Sequence, residues 1–134
     1  MSEISLPEAV EVALELLGKD GGVVIGGNSA SNNLRWANSA LTTNGDTIDQ
    51  TLSISAFVSV TGGVATGMSS GQIRSRSDVE ELVAASKASA LSAGPAVDAM
   101  ELVQGPIDAN FNELAESLDV SEVTHVASGL AEIF

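Results

Sequence analysis

Asn44-Gly45-Asp46-Thr47-Ile48-Asp49-Gln50-Thr51-Leu52-Ser53-Ile54-Ser55-Ala56-Phe57-Val58-Ser59-Val60 is the stretch that decides the fold. Ile48, Leu52, Ile54, Ala56, Val58 and Val60 share one parity, while Asp49, Thr51, Ser53, Ser55 and Ser59 share the other. Side chains of a strand alternate between its two faces, so this pattern predicts a long strand with one face buried and one wet. Phe57 is the one apolar residue on the polar side. Asn44-Gly45 is a strong short hairpin signal and is expected to turn the chain into this strand.

Working outward, Gly62-Gly63 supplies a second tight turn, leading into a strand from Val64 to Ser70. Upstream, Val23-Val24-Ile25 between glycine pairs reads as a short strand. Leu34 and Trp36 then fall on one strand face, with Asn33, Arg35 and Ala37 on the other. Successive hairpins build an antiparallel sheet with one buried face. Ser5-Leu6-Pro7-Glu8 reads as a capping box opening a helix, in which Leu6, Val10, Ala13, Leu14 and Leu17 face inward and Glu8, Glu11 and Glu15 outward. Gly18 is placed to end that helix, and Lys19 follows Glu15 by four. Ser77-Asp78-Val79-Glu80 reads as a second capping box, with Val79, Leu82, Val83 and Ala90 inward and Gly94-Pro95 as the stop. The expected fold is therefore α+β: an antiparallel sheet of hairpins with helices packed on one face, a two-layer sandwich.

Beyond Ala96 the regularity fades and Gly105-Pro106 marks a break. Ile107, Phe111, Leu114 and Leu118 predict a short helix, and Val123, Val126, Ala127, Leu130 and Phe134 another. The last helix reaches Ile133-Phe134 without a cap, as in a chain interrupted within an element. The expected division is an α+β domain over residues 1–106 and a helical tail or linker over 107–134.

The 134 residues suffice for one core. Eighteen acidic residues against five basic ones give a formal charge of −13, which repels phosphate backbones and anionic lipid. No direct nucleic-acid contact and no membrane association are expected, and Arg74 and Arg76 beside Ser75 are too few for a nucleic-acid patch. The start, Met1-Ser2-Glu3-Ile4-Ser5, lacks the basic and apolar character of a signal peptide, so a cytoplasmic location is expected.

Catalytic constellations are missing. Cysteine is absent and His125 is the sole imidazole, so the standard three-ligand zinc sets and a Ser-His-Asp arrangement find no basis. Gly21-Gly22, Gly26-Gly27 and Gly62-Gly63 fit turns better than phosphate-binding loops. Trp36 reads first as core or interface packing, and as a ligand-lining side chain second. Arg35, on the opposite face, is the better placed to grip a carboxylate or carbonyl, with a structural ion pair as its plainer role. Composition and periodicity stop at a soluble acidic α+β domain.

Leu34-Arg35-Trp36-Ala37-Asn38-Ser39-Ala40-Leu41-Thr42-Thr43-Asn44-Gly45 resembles the N-terminal domain of the TldD/PmbA proteins, zinc metallopeptidases also called modulators of DNA gyrase. The order of elements agrees over residues 6 to 106, from the helix ending Ala13-Leu14-Glu15-Leu16-Leu17-Gly18-Lys19 to the helix from Ser77 to Ala93. Gly129-Leu130-Ala131-Glu132-Ile133-Phe134 is similar to the family's link toward its second half. The family holds its zinc on a His-Glu-x-x-x-His helix with a cysteine ligand in the C-terminal domain, a motif this sequence lacks. The resemblance thus implies no catalytic residue, no metal ligand and no cofactor here. It implies a non-catalytic half that shapes a cavity for unfolded peptides and joins a homo- or heterodimer, with Arg35 and Asn38 as polar peptide contacts and Trp36 as their support. A free-standing peptide-binding or dimerisation module is the competing expectation.

Overall fold

In a computed structural model, the described residues are 4–38, 40–100, 102–103, 105–106, 108–113 and 120–133. The elements run α1 (Leu6–Leu17), β1 (Gly22–Ala37), β2 (Ala40–Val60), β3 (Gly63–Gln72), α2 (Arg76–Ala93) and α3 (Val120–Ala131). The three strands form one antiparallel sheet in the order β1-β2-β3. This is the α+β arrangement expected from the alternation in 48–60. The chain divides into two compact units, one of Met1–Gly27 with Gln50–Glu113 and one of Asn28–Asp49 with Leu114–Phe134.

In the first unit, Leu52, Ile54 and Ala56 of β2 are fully buried, and they join Val10, Val12, Ala13 and Leu17 of α1 and Val79 and Val83 of α2 in one core. Ile48 shares their parity but lies in the second unit and is 69% exposed. The core positions on β2 end at Leu52, so the apolar parity continues past the packing that would bury it.

Glycines set how closely the layers approach. A Cβ at Gly22 would sit 2.8 Å from Leu17 Cδ1, and one at Gly26 would sit 2.9 Å from Leu6 Cδ1, so β1 runs directly beneath α1. The buried stripe of α1 includes Ala9 and Ala13 at its centre, and Leu14, expected inward, lies at its margin and is 46% exposed. Ser5 takes the N-cap position, but the expected capping box does not close. Its side chain makes no cap bond; its carbonyl instead accepts from Ala9 N at 2.9 Å, with Pro7 setting the first turn. Gly18 ends the helix at φ +74°.

The second helix starts two residues earlier than the sequence indicates. Ser75, not Ser77, is the N-cap: it is extended (φ −144°, ψ 163°), its hydroxyl accepts from Asp78 N, and the Asp78 carboxylate accepts from Ser75 N at 2.8 Å and Arg74 N at 2.7 Å. Asp78 therefore holds the third helical position that Glu80 was expected to hold, and its short side chain reaches back to the cap. Lys87 Nζ donates to Leu16 O at 2.7 Å, tying α2 to the negative end of α1. Gly94, at φ +74°, terminates α2 as anticipated.

The first hairpin also turns elsewhere. Its turn lies at Asn38, which adopts φ +52°, and Asn44-Gly45 falls inside β2. The cross-strand partners locate the axis: Thr42 Oγ1 donates to Arg35 O at 3.1 Å, and Asn32 Nδ2 donates to Asp46 Oδ1, so both pairs straddle positions 38 and 39. Asparagine is among the residues that tolerate the left-handed region, and one asparagine of the motif has taken the turn ahead of the other. The Val23–Ile25 segment and the Leu34–Trp36 segment are accordingly one continuous strand.

Residues 108–113 form successive turns, Phe111 N bonding Asp108 O and Glu113 N bonding Asn110 O. Ile107, Leu114 and Leu118, the other residues of the expected short helix, lie outside the described residues, as does Phe134. In the second unit, Val123 and Ala127 of α3 are half-buried. Among the described residues no helix is long and apolar enough to cross a membrane.

Candidate functional site

The outer face of the sheet in the first unit, opposite α1 and α2, carries the odd residues of β2 and the even residues of β3. The register runs from Val60↔Gly63 to Thr51↔Gln72 around the two-residue turn Thr61-Gly62. Gly62 at φ +97° makes that turn possible. Across a two-residue turn the closing pair is hydrogen-bonded, and hydrogen-bonded and non-bonded pairs then alternate. The odd residues of β3 consequently bond to β2, as Ile73 N does in donating to Gln50 O at 2.9 Å. The even residues turn their main-chain groups to the free edge.

That edge is capped beside the hairpin turn, and just past its other end Ile4 N donates to Arg74 O at 3.4 Å. Gly94-Pro95 brings the chain back beside the hairpin turn, and Ala96 N donates to Val64 O at 2.8 Å. Thr66, Met68 and Ser70 follow on the same edge, all exposed, and no described residue bonds their outward main-chain groups.

Beside the capped end lies an open cleft of about 800 Å³, lined by Asp20, Phe57, Val64, Thr66, Asp98, Met100 and their neighbours. Phe57, the apolar exception on the polar parity of β2, is half-buried and is paired across the ladder with Thr66. Asp20 is anchored: Ser59 donates to its carboxylate from the backbone N at 3.2 Å and from Oγ at 3.0 Å. Those bonds, the backbone one first, hold its carboxyl below the usual aspartate range, so it is ionised at neutral pH. Asp98 is exposed on the facing segment. The lining presents two carboxylates and no basic side chain among the described residues. Such a surface accepts hydrogen bonds and attracts cations beside apolar walls.

The residues singled out from sequence lie in the second unit. Arg35 is exposed on β1, and Trp36 is half-buried on the opposite face of the strand. Asn38 is exposed at the turn. A smaller hollow of about 340 Å³ in this unit is lined by Asn32, Leu34, Glu122, Val123 and Val126, none of them those three. His125 is exposed on α3. Among the described residues no three His, Cys, Asp or Glu side chains gather where they can hold a metal ion. Of the cleft residues, Phe57 alone announced itself in the sequence, by breaking the alternation. Asp20 closes a single 3-10 turn after α1, and Asp98 and Met100 sit in an irregular segment, so periodicity carries no signal at any of them.

Compared with family models, curated proteins and solved structures, the chain finds no match.

Proposed function

We propose that this chain is the N-terminal, non-catalytic domain of a TldD/PmbA-like zinc-dependent peptidase, shaping the cavity for unfolded peptide substrates and contributing to dimerisation. The reading rests on the resemblance of residues 34–45 and the order of elements around them. The observation that supports it physically is the free edge of β3. An extended peptide can add there as a fourth strand, taking its affinity from the outward main-chain groups of Thr66, Met68 and Ser70. Unfolded peptides are the substrates suited to this mode, because a folded protein has few unpaired backbone groups to offer.

The peptidase half would supply the metal and the chemistry, while Arg35, Trp36 and Asn38 would contribute contacts from the hairpin of the second unit. The reading frame downstream of the Phe134 codon in the source genome tests the assignment. Continuation into a helix bearing His-Glu-x-x-x-His is expected. A stop codon at that point would overturn the parent enzyme and leave a free-standing peptide-binding or dimerisation module.

A further inference from the structure

We infer that the cleft between the outer sheet face and residues 96–100 and 102 is a side-chain subsite that selects peptides carrying a basic residue. The inference rests on the peptide-binding reading above, and deepens it by naming the preferred substrate. The cleft adjoins the free edge through Thr66, the first open position of β3 after the Ala96 bond. A strand added beside Thr66, Met68 and Ser70 places alternate side chains on the outer sheet face. The side chain nearest Thr66 therefore arrives at the mouth of the cleft.

Three features fix what it accepts. A volume of about 800 Å³ exceeds one side chain and suits a short stretch of peptide. Phe57, Val64, Met100 and Leu102 offer apolar walls, and Met100 and Leu102 are 92% and 47% exposed, so they gain burial when the cleft fills. Asp20 and Asp98 supply negative charge; Asp20 is kept ionised first by Ser59 and more weakly by the Lys19 and Lys87 charges, both of which stand outside the lining. A lysine or arginine side chain answers the last two, since its stem is apolar and its head is cationic. The overall charge of −13 further draws such peptides in and turns acidic ones away.

The test uses the full 134-residue chain and fluorescein-labelled extended heptapeptides of alternating valine and threonine, with lysine, norleucine or glutamate at the centre, read by fluorescence anisotropy at low and high salt. The lysine peptide is expected to bind about tenfold tighter than the glutamate peptide at low salt, with the gap narrowing as salt rises. Asp98→Asn, at an exposed position that leaves the Asp20–Ser59 bonds untouched, is expected to cut that preference to about threefold or less. Phe57→Ala is expected to weaken all three peptides, with thermal unfolding confirming that the variant folds. Equal binding of the three peptides, or a preference indifferent to Asp98→Asn, overturns the subsite while leaving edge binding intact. Absence of binding by every peptide overturns both.

Discussion

A methyl group at Gly67 would lie 2.8 Å from Ala90 Cα and closer still to Ala90 N and Ser86 O, so β3 touches the backbone of α2 with nothing between them. Backbone cannot swing aside as a side chain does. Gly67→Ala is therefore expected to cost at least about 2 kcal/mol or abolish folding, whereas Gly45→Ala, which meets open space, should change the urea midpoint little. Gln50 presents the opposite case. Among the described residues its buried Oε1 has no hydrogen-bond partner. Replacing a buried, unsatisfied polar group by an apolar one of similar shape removes its desolvation cost, so Gln50→Leu is expected to stabilise the fold by about 1 kcal/mol in urea titration. Asp78 is the residue through which acid acts. Bonds from the backbone N of Arg74 and of Ser75 and from the Ser75 hydroxyl, in that order, lower its pKa from 3.8. A lowered folded pKa contributes stability that is complete above the unfolded value and is lost as pH falls from about 3.8 through the lower folded one. Asp78→Asn should accordingly lower the melting temperature at pH 7, and the deficit should shrink as the pH drops below that range.

At the scale of elements, the alternation from Leu52 to Val60 and the helical stripes at Val10, Ala13, Val79 and Val83 were legible because each residue faces one layer, and burial obeys periodicity. Boundaries and turns were less so. Asn38 and Asn44 both belong to a motif rich in turn formers, and local chemistry alone favours Asn44-Gly45. The strand pairing that brings Thr42 Oγ1 to Arg35 O and Asn32 to Asp46 is a non-local choice, and it overrides the local preference. The capping serine of α2 also differs from the expected one, within a single local motif. Ser75 and Ser77 each have an acidic residue three positions on, so spacing alone does not choose between them; the structure closes the cap at Ser75, where the Asp78 carboxylate accepts from the backbone N of both Ser75 and Arg74. Asp20, Asp98 and Met100 meet in one cleft only because Gly94-Pro95 returns the chain to the hairpin turn, a convergence of distant segments that no short window of sequence contains.

For the whole molecule, the consequence lies in how its outermost strand is protected. An uncovered strand edge invites a neighbouring copy to stack against it, the first step of fibre growth. Pro95 and Ala96 block one end of that row, which shortens the length available for such stacking, and the surplus of carboxylates keeps copies apart in dilute buffer. Concentrated brine suppresses that repulsion without touching Pro95. In a salty medium, then, main-chain cover at the two ends of the row, from Ala96 and from Ile4, rather than surface charge, stands between this strand and a filament.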